Sequence, residues 1–432
     1  MAGSAARILR CCSAGPAAVA RSVGVMTAAT TPATTSATTP ESAPHHPEVF
    51  INPRARAWQA PEGHDGALHF HRSLRGYAPT PLTELPHLAA ELGVGRVFVK
   101  DETERLGLPA FKVLGASWAV HRALQTHSAA ETEAVEAQAA GRALVTASDG
   151  NHGRALARTG RLLGHPARVY LPRGVHPVAA AAITDEGADV VEVDGDCDEA
   201  VAQAAQDAQR TGALLVQDTA WPGYEQIPAW IVGGYATLTR EIDDALAAAG
   251  LRADLVAVPV GVGSLAQAVI EHYRRPGRGD DRPGLLGVEP TAAAGLLASL
   301  RAGEIRSVAT GTTTMAGLNC GTPSSAAWPA LRGGLDAAVA VTDAQAGAAA
   351  RELRAAGIDV GPCGAATLAG LRSLRAAASS PADSALAAVG AGPDSVVVLL
   401  ATEGRAANPA GDDTDSDPTP EPDPSPAPDA QI

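Results

Sequence analysis

The stretch "LVAVPVGVGSLAQAV" (residues 255–269) predicts a buried strand, a glycine-rich turn and the start of a helix. Short apolar runs of the same kind alternate with Ala/Leu/Arg-rich helical segments from about residue 94 to residue 404. Continuous apolar strands separated by helices are typical of parallel sheets that are covered on both faces. The sequence therefore predicts a doubly wound α/β enzyme, whose ligands bind beyond the carboxyl ends of the strands.

The turn itself is a candidate phosphate site. Gly261 and Gly263 follow the strand and Ser264 opens the helix, so that backbone N–H groups can converge on an anion. The same letters match the G-x-G-x-x-A dinucleotide fingerprint, and Glu289 ends the next strand, where a ribose-binding acid would lie. An NAD-dependent oxidoreductase stays open as an alternative, although the turn comes late in the series of strand–helix units.

Lysine is rare in this chain. Of its 33 basic residues only Lys100 and Lys112 are not arginine, and Lys112 lies in the apolar stretch "LGLPAFKVLGAS". A desolvated lysine can lose its proton and act as an amine nucleophile, which arginine cannot do. Lys100 lies beside two acids in "RVFVKDE", where we expect an ordinary surface lysine. The contrast favours a chemical role for Lys112.

Three further segments place polar residues at predicted strand ends. "ASDGNHGRALA" brings Asp149 and Asn151 to a tight glycine turn, for which a simple helix-capping turn is the alternative. "QDTAWPGYEQIPAWIVGGYATL" contains Asp218 and four of the chain's ten Trp and Tyr residues, which indicates either a pocket wall or packing between lobes. "VVVLLATEG" ends with Thr402, whose hydroxyl can hydrogen-bond a heterocycle nitrogen.

Charge and composition exclude several classes of partner. The formal net charge of −14 argues against nucleic acid, since a phosphate-binding face needs clustered Lys and Arg. Residues 408–432 are acidic and Pro-rich and are predicted to be disordered, and residues 1–47 are predicted to be a disordered or targeting-like extension. There is no run of about 20 apolar residues, so no membrane span is expected.

The five cysteines form no CxxC pair and no zinc-ligand spacing. We therefore expect no metal site and a reducing, cytoplasmic setting. A bond between Cys320 and Cys363 stays open at this point.

A lysine able to bind an aldehyde, a phosphate turn and a strand-end hydroxyl together describe pyridoxal 5'-phosphate (PLP). Over roughly residues 48–407 the sequence resembles the fold-type II PLP enzymes, the tryptophan synthase β-like group. Within that group it is similar to the diaminopropionate ammonia-lyases, on the combination "ERLGLPAFKVLGAS", "SDGNHGRALA", "QDTAWPGYEQIPAWIVGGYATL", "TTTMAGLNCGTPS" and "GIDVGPCGAATL".

The resemblance implies two doubly wound parallel-sheet domains with the active site between them. The large PLP-binding domain would comprise residues 48–112 and 217–407, and residues 113–216 would form a small mobile domain. The family is usually dimeric, so a homodimer is expected.

The resemblance also assigns roles to the candidate residues. Catalytic roles fall on Lys112, which binds the aldehyde of PLP, and on Asp149 and Asp218, which act at the substrate. The cofactor contacts are Asn151 at the ring hydroxyl, Thr402 at the pyridine nitrogen, and the backbone of Gly261, Val262, Gly263 and Ser264 at the phosphate.

The implied reaction is α,β-elimination of D- and L-2,3-diaminopropionate, a small amino acid, to pyruvate and two ammonia. Lys112 would take the Cα proton of the L-isomer, and Asp149 on the opposite face that of the D-isomer. Two alternatives stay open. One is a serine/threonine dehydratase or another lyase of β-substituted amino acids, and the other is a non-catalytic amino-acid- or PLP-binding protein on the same scaffold.

Overall fold

The structure is a computed structural model that describes residues 49–61, 66–130, 141–279, 281–377 and 385–408. The predicted N-terminal extension (residues 1–47) and the predicted acidic tail beyond Asn408 lie outside the described residues.

The described strands are short, and five of the eleven are buried along their whole length. They are β1 (Val49–Ile51), β2 (Leu82–Glu84), β3 (Arg96–Asp101), β4 (Leu144–Ala147), β5 (Ala167–Leu171), β6 (Asp189–Glu192), β7 (Leu214–Leu215), β8 (Leu255–Pro259), β9 (Gly284–Pro290), β10 (Ala337–Val341) and β11 (Val396–Ala401).

The described α-helices alternate with these strands through most of the chain. They are α1 (Ala67–Ser73), α2 (Pro86–Leu92), α3 (Val113–Ala130), α4 (Asn151–Leu163), α5 (Pro177–Asp185), α6 (Cys197–Thr211), α7 (Gln226–Ala248), α8 (Ser264–Tyr273), α9 (Gly295–Ala302), α10 (Trp328–Gly334), α11 (Asp343–Ala355), α12 (Pro362–Ala376) and α13 (Ala385–Ala388).

The strands form two sheets. The larger has the order β1-β10-β9-β8-β11-β3-β2 and the smaller the order β6-β5-β4-β7. All pairings in the smaller sheet and the central ones in the larger are parallel, and only the edge strands β1 and β2 pair antiparallel. The predicted parallel α/β architecture is confirmed. The edge strands were not predicted, because three-residue, partly buried segments leave no apolar run in the sequence.

Both faces of the larger sheet are covered. Successive residues of β8 alternate between two hydrophobic clusters, with Val256 and Val258 in one and Leu255 and Ala257 in the other. A parallel strand buried in this way needs apolar residues at every position, which explains the unbroken apolar run in the sequence. Its carboxyl end is then free to carry polar chemistry.

Helices α3 and α7 pack closely at the point where the candidate lysine precedes α3. Neither Gly115 nor Gly234 has room for a Cβ, because Tyr235 and Ile231 lie against the first, and the backbone of Leu114 lies against the second. This close approach fixes the first turn of α3, and with it the position of residue 112, relative to α7.

Lys100 is not the surface lysine that the sequence indicated. Its side chain is 1 % exposed, and its Nζ donates to Glu241 Oε2 at 2.6 Å and to the backbone oxygen of Thr80 at 2.8 Å. Arg105 donates to both Glu102 and Glu241. The four charged residues form a group named here the Lys100 cluster, which consists of Lys100, Glu102, Arg105 and Glu241. It buries two positive and two negative charges that compensate one another. The partner Glu241 lies 141 residues from Lys100 in the chain, so local sequence could not reveal it.

Within the described residues, no helix is long and apolar enough to cross a membrane.

Candidate active site

Lys112 lies immediately before α3, and its side chain is 31 % exposed. Its Nζ donates to Oδ2 of Asp218 at 3.0 Å. Asp218 follows β7 of the smaller sheet, whereas Lys112 follows β3 of the larger one. The predicted lysine and one predicted aspartate therefore meet across the two sheets. We refer to Lys112, Asp149 and Asp218 as the Lys112 site.

Lys112 and Asp218 stabilise each other in the charged form. Burial disfavours the ammonium, but the charge and hydrogen bond of Asp218, together with Tyr235 and Asp149, outweigh it and raise the pKa of Lys112 above its ordinary value. Burial likewise opposes ionisation of Asp218, but His152 and Lys112 lower the pKa of that carboxyl. The sequence suggested a lysine made neutral by desolvation. The structure instead holds an ammonium, which becomes a nucleophile only when the attraction of Asp218 is relieved.

Asp149 differs from Asp218 in environment. It lies in the turn between β4 and α4 with its side chain open to solvent. Desolvation by the protein around it nevertheless raises the pKa of Asp149, although the positive charge of Lys112 opposes this shift. Two carboxyl groups beside one lysine thus have pKa values moved in opposite directions, as an acid/base pair requires.

Asn151 is the first residue of α4, and it reaches the end of β11. Its Nδ2 donates to Oε2 of Glu403 at 3.2 Å. This hydrogen bond, like the Lys112–Asp218 pair, joins the smaller sheet to the larger one.

The glycine turn between β8 and α8 has the features of an anion site. None of the backbone N–H groups of residues 261–264 donates a hydrogen bond to any described residue. Gly263 has φ 105°, and a Cβ on Gly261 would lie 2.9 Å from the backbone oxygen of Gly317. Both glycines are therefore required. Free N–H donors at a helix start are suited to a phosphate.

Thr402 directly follows β11 and is 4 % exposed. Its backbone oxygen accepts a hydrogen bond from the N–H of Phe111, the residue before Lys112, at 3.4 Å. Its hydroxyl makes no hydrogen bond to a described residue. A hydroxyl without a protein partner is available to a ligand atom.

The segments that carry these residues adjoin. Gly317 lies against Gly261 on one side and near Glu403 on the other, because a Cβ on Gly317 would be 3.8 Å from Glu403 Oε2. Glu403 in turn binds Asn151 and follows Thr402. An amine, a set of free backbone donors and an unpartnered hydroxyl match the aldehyde, phosphate and ring nitrogen of PLP. The residues fit this cofactor.

No individual role followed from the sequence for three residues of this region. His152 is buried, its Nδ1 lies 3.8 Å from Asp218 Oδ2, and burial lowers its pKa. Tyr235 packs edge-on against Phe111 with ring centroids 4.8 Å apart. The third is Glu403. His152 follows Asn151 directly, so its position in "GNHG" was an available signal. Tyr235 stood out only as one of four clustered aromatic residues, and Glu403 only as the residue after Thr402.

The four aromatic residues after Asp218 divide between the two predicted roles, which are core packing and a pocket wall. Trp230 and Tyr235 are buried in the core, which favours the packing interpretation. Trp221 and Tyr224 instead stack with centroids 4.2 Å apart in the loop after Asp218 and are only partly buried.

Two open alternatives receive an answer here. Cys320 and Cys363 do not form a disulfide with each other. Glu289, the acid that an NAD site would need, is buried and accepts hydrogen bonds from the N–H groups of Leu296 and Leu297 at 2.8 and 2.7 Å. It therefore caps the start of α9.

No group of three or more His, Cys, Asp or Glu suited to a metal occurs in the described part of the chain.

Known proteins resemble this chain in sequence and in structure. A family model described as pyridoxal-phosphate dependent enzyme matches residues 74–399. The diaminopropionate ammonia-lyase of Salmonella typhimurium is 40 % identical over 286 residues, which are 62 % of this chain and 70 % of that protein. The crystal structure of the Escherichia coli diaminopropionate ammonia-lyase in complex with D-serine has a TM-score of 0.73 and 30 % identity, covering 84 % of this chain and 95 % of that one.

A more distant structure shows the fold alone. The processed form of threonine deaminase isoform 2 from Solanum lycopersicum has a TM-score of 0.62 at 21 % identity, covering 84 % of this chain and 95 % of that one. The predicted fold-type II architecture and the PLP cofactor are confirmed, and the NAD-dependent alternative is wrong. The chain belongs to the pyridoxal-phosphate-dependent enzymes and, among them, to the diaminopropionate ammonia-lyase family.

Proposed function

We propose that this enzyme eliminates both amino groups of D- and L-2,3-diaminopropionate, consuming one water and releasing pyruvate and two ammonia. The observation that carries the proposal is the pair of carboxyl groups, Asp149 and Asp218, beside one lysine. A substrate with two amino groups brings two positive charges, and two carboxyl groups can bind and deprotonate them. The similar proteins of Salmonella typhimurium and Escherichia coli bear the name of this activity.

PLP, bound covalently by Lys112 and held by Asn151, residues 261–264 and Thr402, supplies the electron sink that allows the Cα proton to leave. Thr402 offers a neutral hydroxyl to the ring nitrogen and so favours elimination over transamination.

Asp218 binds the β-ammonium of the substrate. In the structure its carboxylate already holds an ammonium, that of Lys112, at 3.0 Å. An anion at this position keeps the β-amine protonated, and only the protonated amine is a good leaving group. The protonated amine then leaves as neutral ammonia, taking the electron pair of the Cβ–N bond.

Lys112 Nζ takes the Cα proton of the L-isomer, and Asp149 takes that of the D-isomer from the opposite face. The raised pKa of Asp149 supports this assignment, because a general base works best when its pKa is near the working pH. Asp218, whose pKa is lowered, is suited to holding charge rather than to accepting protons.

We further propose that residues 113–216 form a small domain that closes over a large domain of residues 48–112 and 217–407, excluding water during the reaction. The Lys112–Asp218 and Asn151–Glu403 contacts would change with closure, since each joins the two sheets. The close packing of Gly115 against α7 implies that the moving part begins beyond the first turn of α3.

A homodimer in the cytoplasm is the proposed working form. Family resemblance supports the dimer, and a cytoplasmic setting is the default for a sequence whose cysteines form no CxxC pair and no zinc-ligand spacing. Light scattering on the purified protein tests the dimer, and a monomer mass would contradict it.

Pyruvate release by the purified, PLP-loaded protein tests the reaction, with D- and L-2,3-diaminopropionate, serine and threonine offered separately. We expect pyruvate from both diaminopropionate isomers at rates far above that from serine. Activity on serine alone, or 2-oxobutyrate from threonine, would make the enzyme a dehydratase. PLP binding without turnover of any of the four would favour the non-catalytic alternative.

A further inference from the structure

Glu403 is a buried acid with no role in the proposed reaction. It follows Thr402, is 4 % exposed, and accepts a hydrogen bond from Asn151 Nδ2 through Oε2 at 3.2 Å. Its other oxygen, Oε1, has no hydrogen-bond partner among the described residues. A buried polar atom of this kind is uncommon in proteins and calls for an explanation.

The surroundings hold this side chain in place. A Cβ on Gly361 would lie 3.3 Å from Oε1, and one on Gly317 would lie 3.8 Å from Oε2. The thiol and the backbone N–H of Cys363 also lie close enough to the carboxyl to lower its pKa, although neither meets the geometry of a hydrogen bond to Oε1. The Glu403 side chain therefore has little freedom to turn away from Asn151.

The carboxyl is favoured in its neutral form. Burial raises the pKa of Glu403, although Cys363, Asn151 and the more distant charge of Lys112 oppose the shift. No described cation forms an ion pair with it, in contrast to the acids of the Lys100 cluster. A protonated carboxyl can still accept through its carbonyl oxygen, so the bond from Asn151 does not require a negative charge.

The Asn151 amide nitrogen has two hydrogens, and only one is donated to Glu403. The oxygen and the nitrogen of a side-chain amide are nearly equal in size, so its hydrogen-bond partners determine which of the two atoms faces each neighbour. The Oε2 atom of Glu403 accepts in this contact, so the proton of the neutral carboxyl would lie on Oε1. With the proton there, Glu403 selects the orientation in which the amide nitrogen, with its second hydrogen, lies on this side.

We propose that Glu403 is a positioning residue, which fixes the Asn151 amide so that its second N–H binds the ring oxygen of PLP. The inference rests on the proposed placement of the cofactor beside Asn151. Glu403 acts only through Asn151 and does not itself contact the substrate.

The backbone of Glu403 has a separate structural role. Its carbonyl oxygen accepts from the N–H of Gly361 at 2.9 Å, and its backbone pairs with that of Ala110. Side-chain substitutions leave these bonds possible, so the side chain can be tested on its own.

The test compares Glu403→Gln, Glu403→Met, Asn151→Ala and the double variant Glu403→Met/Asn151→Ala. Two quantities are measured without substrate: the dissociation constant of PLP, and the pH midpoint of the absorbance change of the bound cofactor. An N–H donor to the ring oxygen favours its anionic form, so losing the donor raises that midpoint.

We expect Glu403→Met to bind PLP roughly tenfold more weakly, since a buried donor loses its acceptor, and to raise the midpoint as Asn151→Ala does. Glu403→Gln keeps a neutral carbonyl acceptor and should match the wild type in both quantities. The double variant should be no worse than Asn151→Ala, because Glu403 acts through that residue.

Additive losses in the double variant, or an unchanged midpoint in Glu403→Met, would overturn the inference. An unchanged midpoint in Asn151→Ala would instead overturn the proposed placement of the cofactor. If Glu403→Met does not fold, Glu403→Asp takes its place in the test. Aspartate keeps the carboxyl group, but its shorter side chain moves the acceptor oxygen away from Asn151. A wild-type midpoint there overturns the inference, and a raised one supports it.

The matched control is Asp336→Asn, which alters a buried acid at the amino end of β10, the edge of the sheet opposite to the carboxyl ends that Lys112 and Thr402 follow. It should lower stability but leave the midpoint unchanged. A midpoint shift in this control would show that the measurement responds to general loosening of the fold, and would overturn the inference as well.

Discussion

The only two lysines of this chain lie twelve residues apart, and each pairs with a carboxylate, Lys100 with Glu241 at 2.6 Å and Lys112 with Asp218 at 3.0 Å. Lys100 is 1 % exposed and Lys112 is 31 % exposed. Around Lys100, two cations face two anions and the charges balance. Around Lys112, one cation faces two aspartates and solvent. Buried and balanced charge stabilises a geometry, whereas accessible and unbalanced charge is available for a reaction.

The Lys100 cluster also helps to hold the chain segment that carries Lys112. Arg105 of the Lys100 cluster lies in the loop that leads from β3 to Lys112, and its guanidinium binds the backbone oxygen of Ala78 as well as the two acids. His71 bonds the backbone oxygen of Leu114 at 3.0 Å through Nε2, and Thr237 at 2.7 Å through Nδ1. The residues on both sides of Lys112 are thus held by buried polar contacts.

The same substitution at the two lysines should give opposite results. Lys112→Met removes the amine that binds PLP, so we expect activity to fall by on the order of 10⁴-fold or more, with loss of the visible absorbance of covalently bound PLP. Stability should change by only about 1 kcal/mol, because Asp218 remains partly exposed. Pyruvate assays, absorbance spectra and urea unfolding measure the three quantities. Retained absorbance would assign the cofactor to another residue.

Lys100→Met should lower the free energy of unfolding by about 3–5 kcal/mol, because it leaves the buried charges of the Lys100 cluster unbalanced. The turnover number per folded molecule should remain close to that of the wild type. Urea unfolding gives the first quantity, and pyruvate release corrected for the folded fraction gives the second. A stable but inactive Lys100→Met protein would contradict the separation between the two lysines.

Asp149→Asn tests the second carboxylate of the Lys112 site, beside the one that binds Lys112. We expect kcat/KM for D-2,3-diaminopropionate to fall about 100-fold, because the base for that isomer is lost, while the L-isomer is affected much less. Asp218→Asn is the matched control and should lower turnover of both isomers. Equal losses for D and L in Asp149→Asn would refute its assignment.

The smallest expected effect is a pH dependence of stability around the Lys100 cluster. Burial lowers the pKa of His71 to about 3, below its value of 6.5 in the unfolded chain. The unfolded state therefore binds more protons between these values, and stability falls as the pH drops from 6.5 towards 3.

His71→Gln removes this contribution, so its unfolding free energy should depend less steeply on pH, by up to about 1.4 kcal/mol per pH unit. Urea unfolding at several pH values between 5 and 7 measures the slope. Equal slopes in the variant and the wild type would show that other groups carry the acid sensitivity.

The parts of the site that were predictable lie within single strand–turn–helix segments. The glycine turn before Ser264 is such a segment, because its chemistry consists of backbone N–H groups left free where a strand meets a helix. Lys112 was recognisable because a lone lysine between apolar residues has few structural uses. Glu289 was misassigned in the NAD alternative, since the sequence cannot show that Leu296 and Leu297 supply its hydrogen bonds.

By itself the sequence determined the alternation of buried strands and helices, and it predicted the phosphate turn and the reactive lysine, because local periodicity and residue chemistry specify them. The tertiary structure alone decided that Lys100 is buried, that Asp218 holds Lys112 as an ammonium, and that Glu403 faces Asn151. The physical reason is distance along the chain. These pairs are 141, 106 and 252 residues apart for Lys100–Glu241, Lys112–Asp218 and Asn151–Glu403, and only the packing of two sheets brings such residues together.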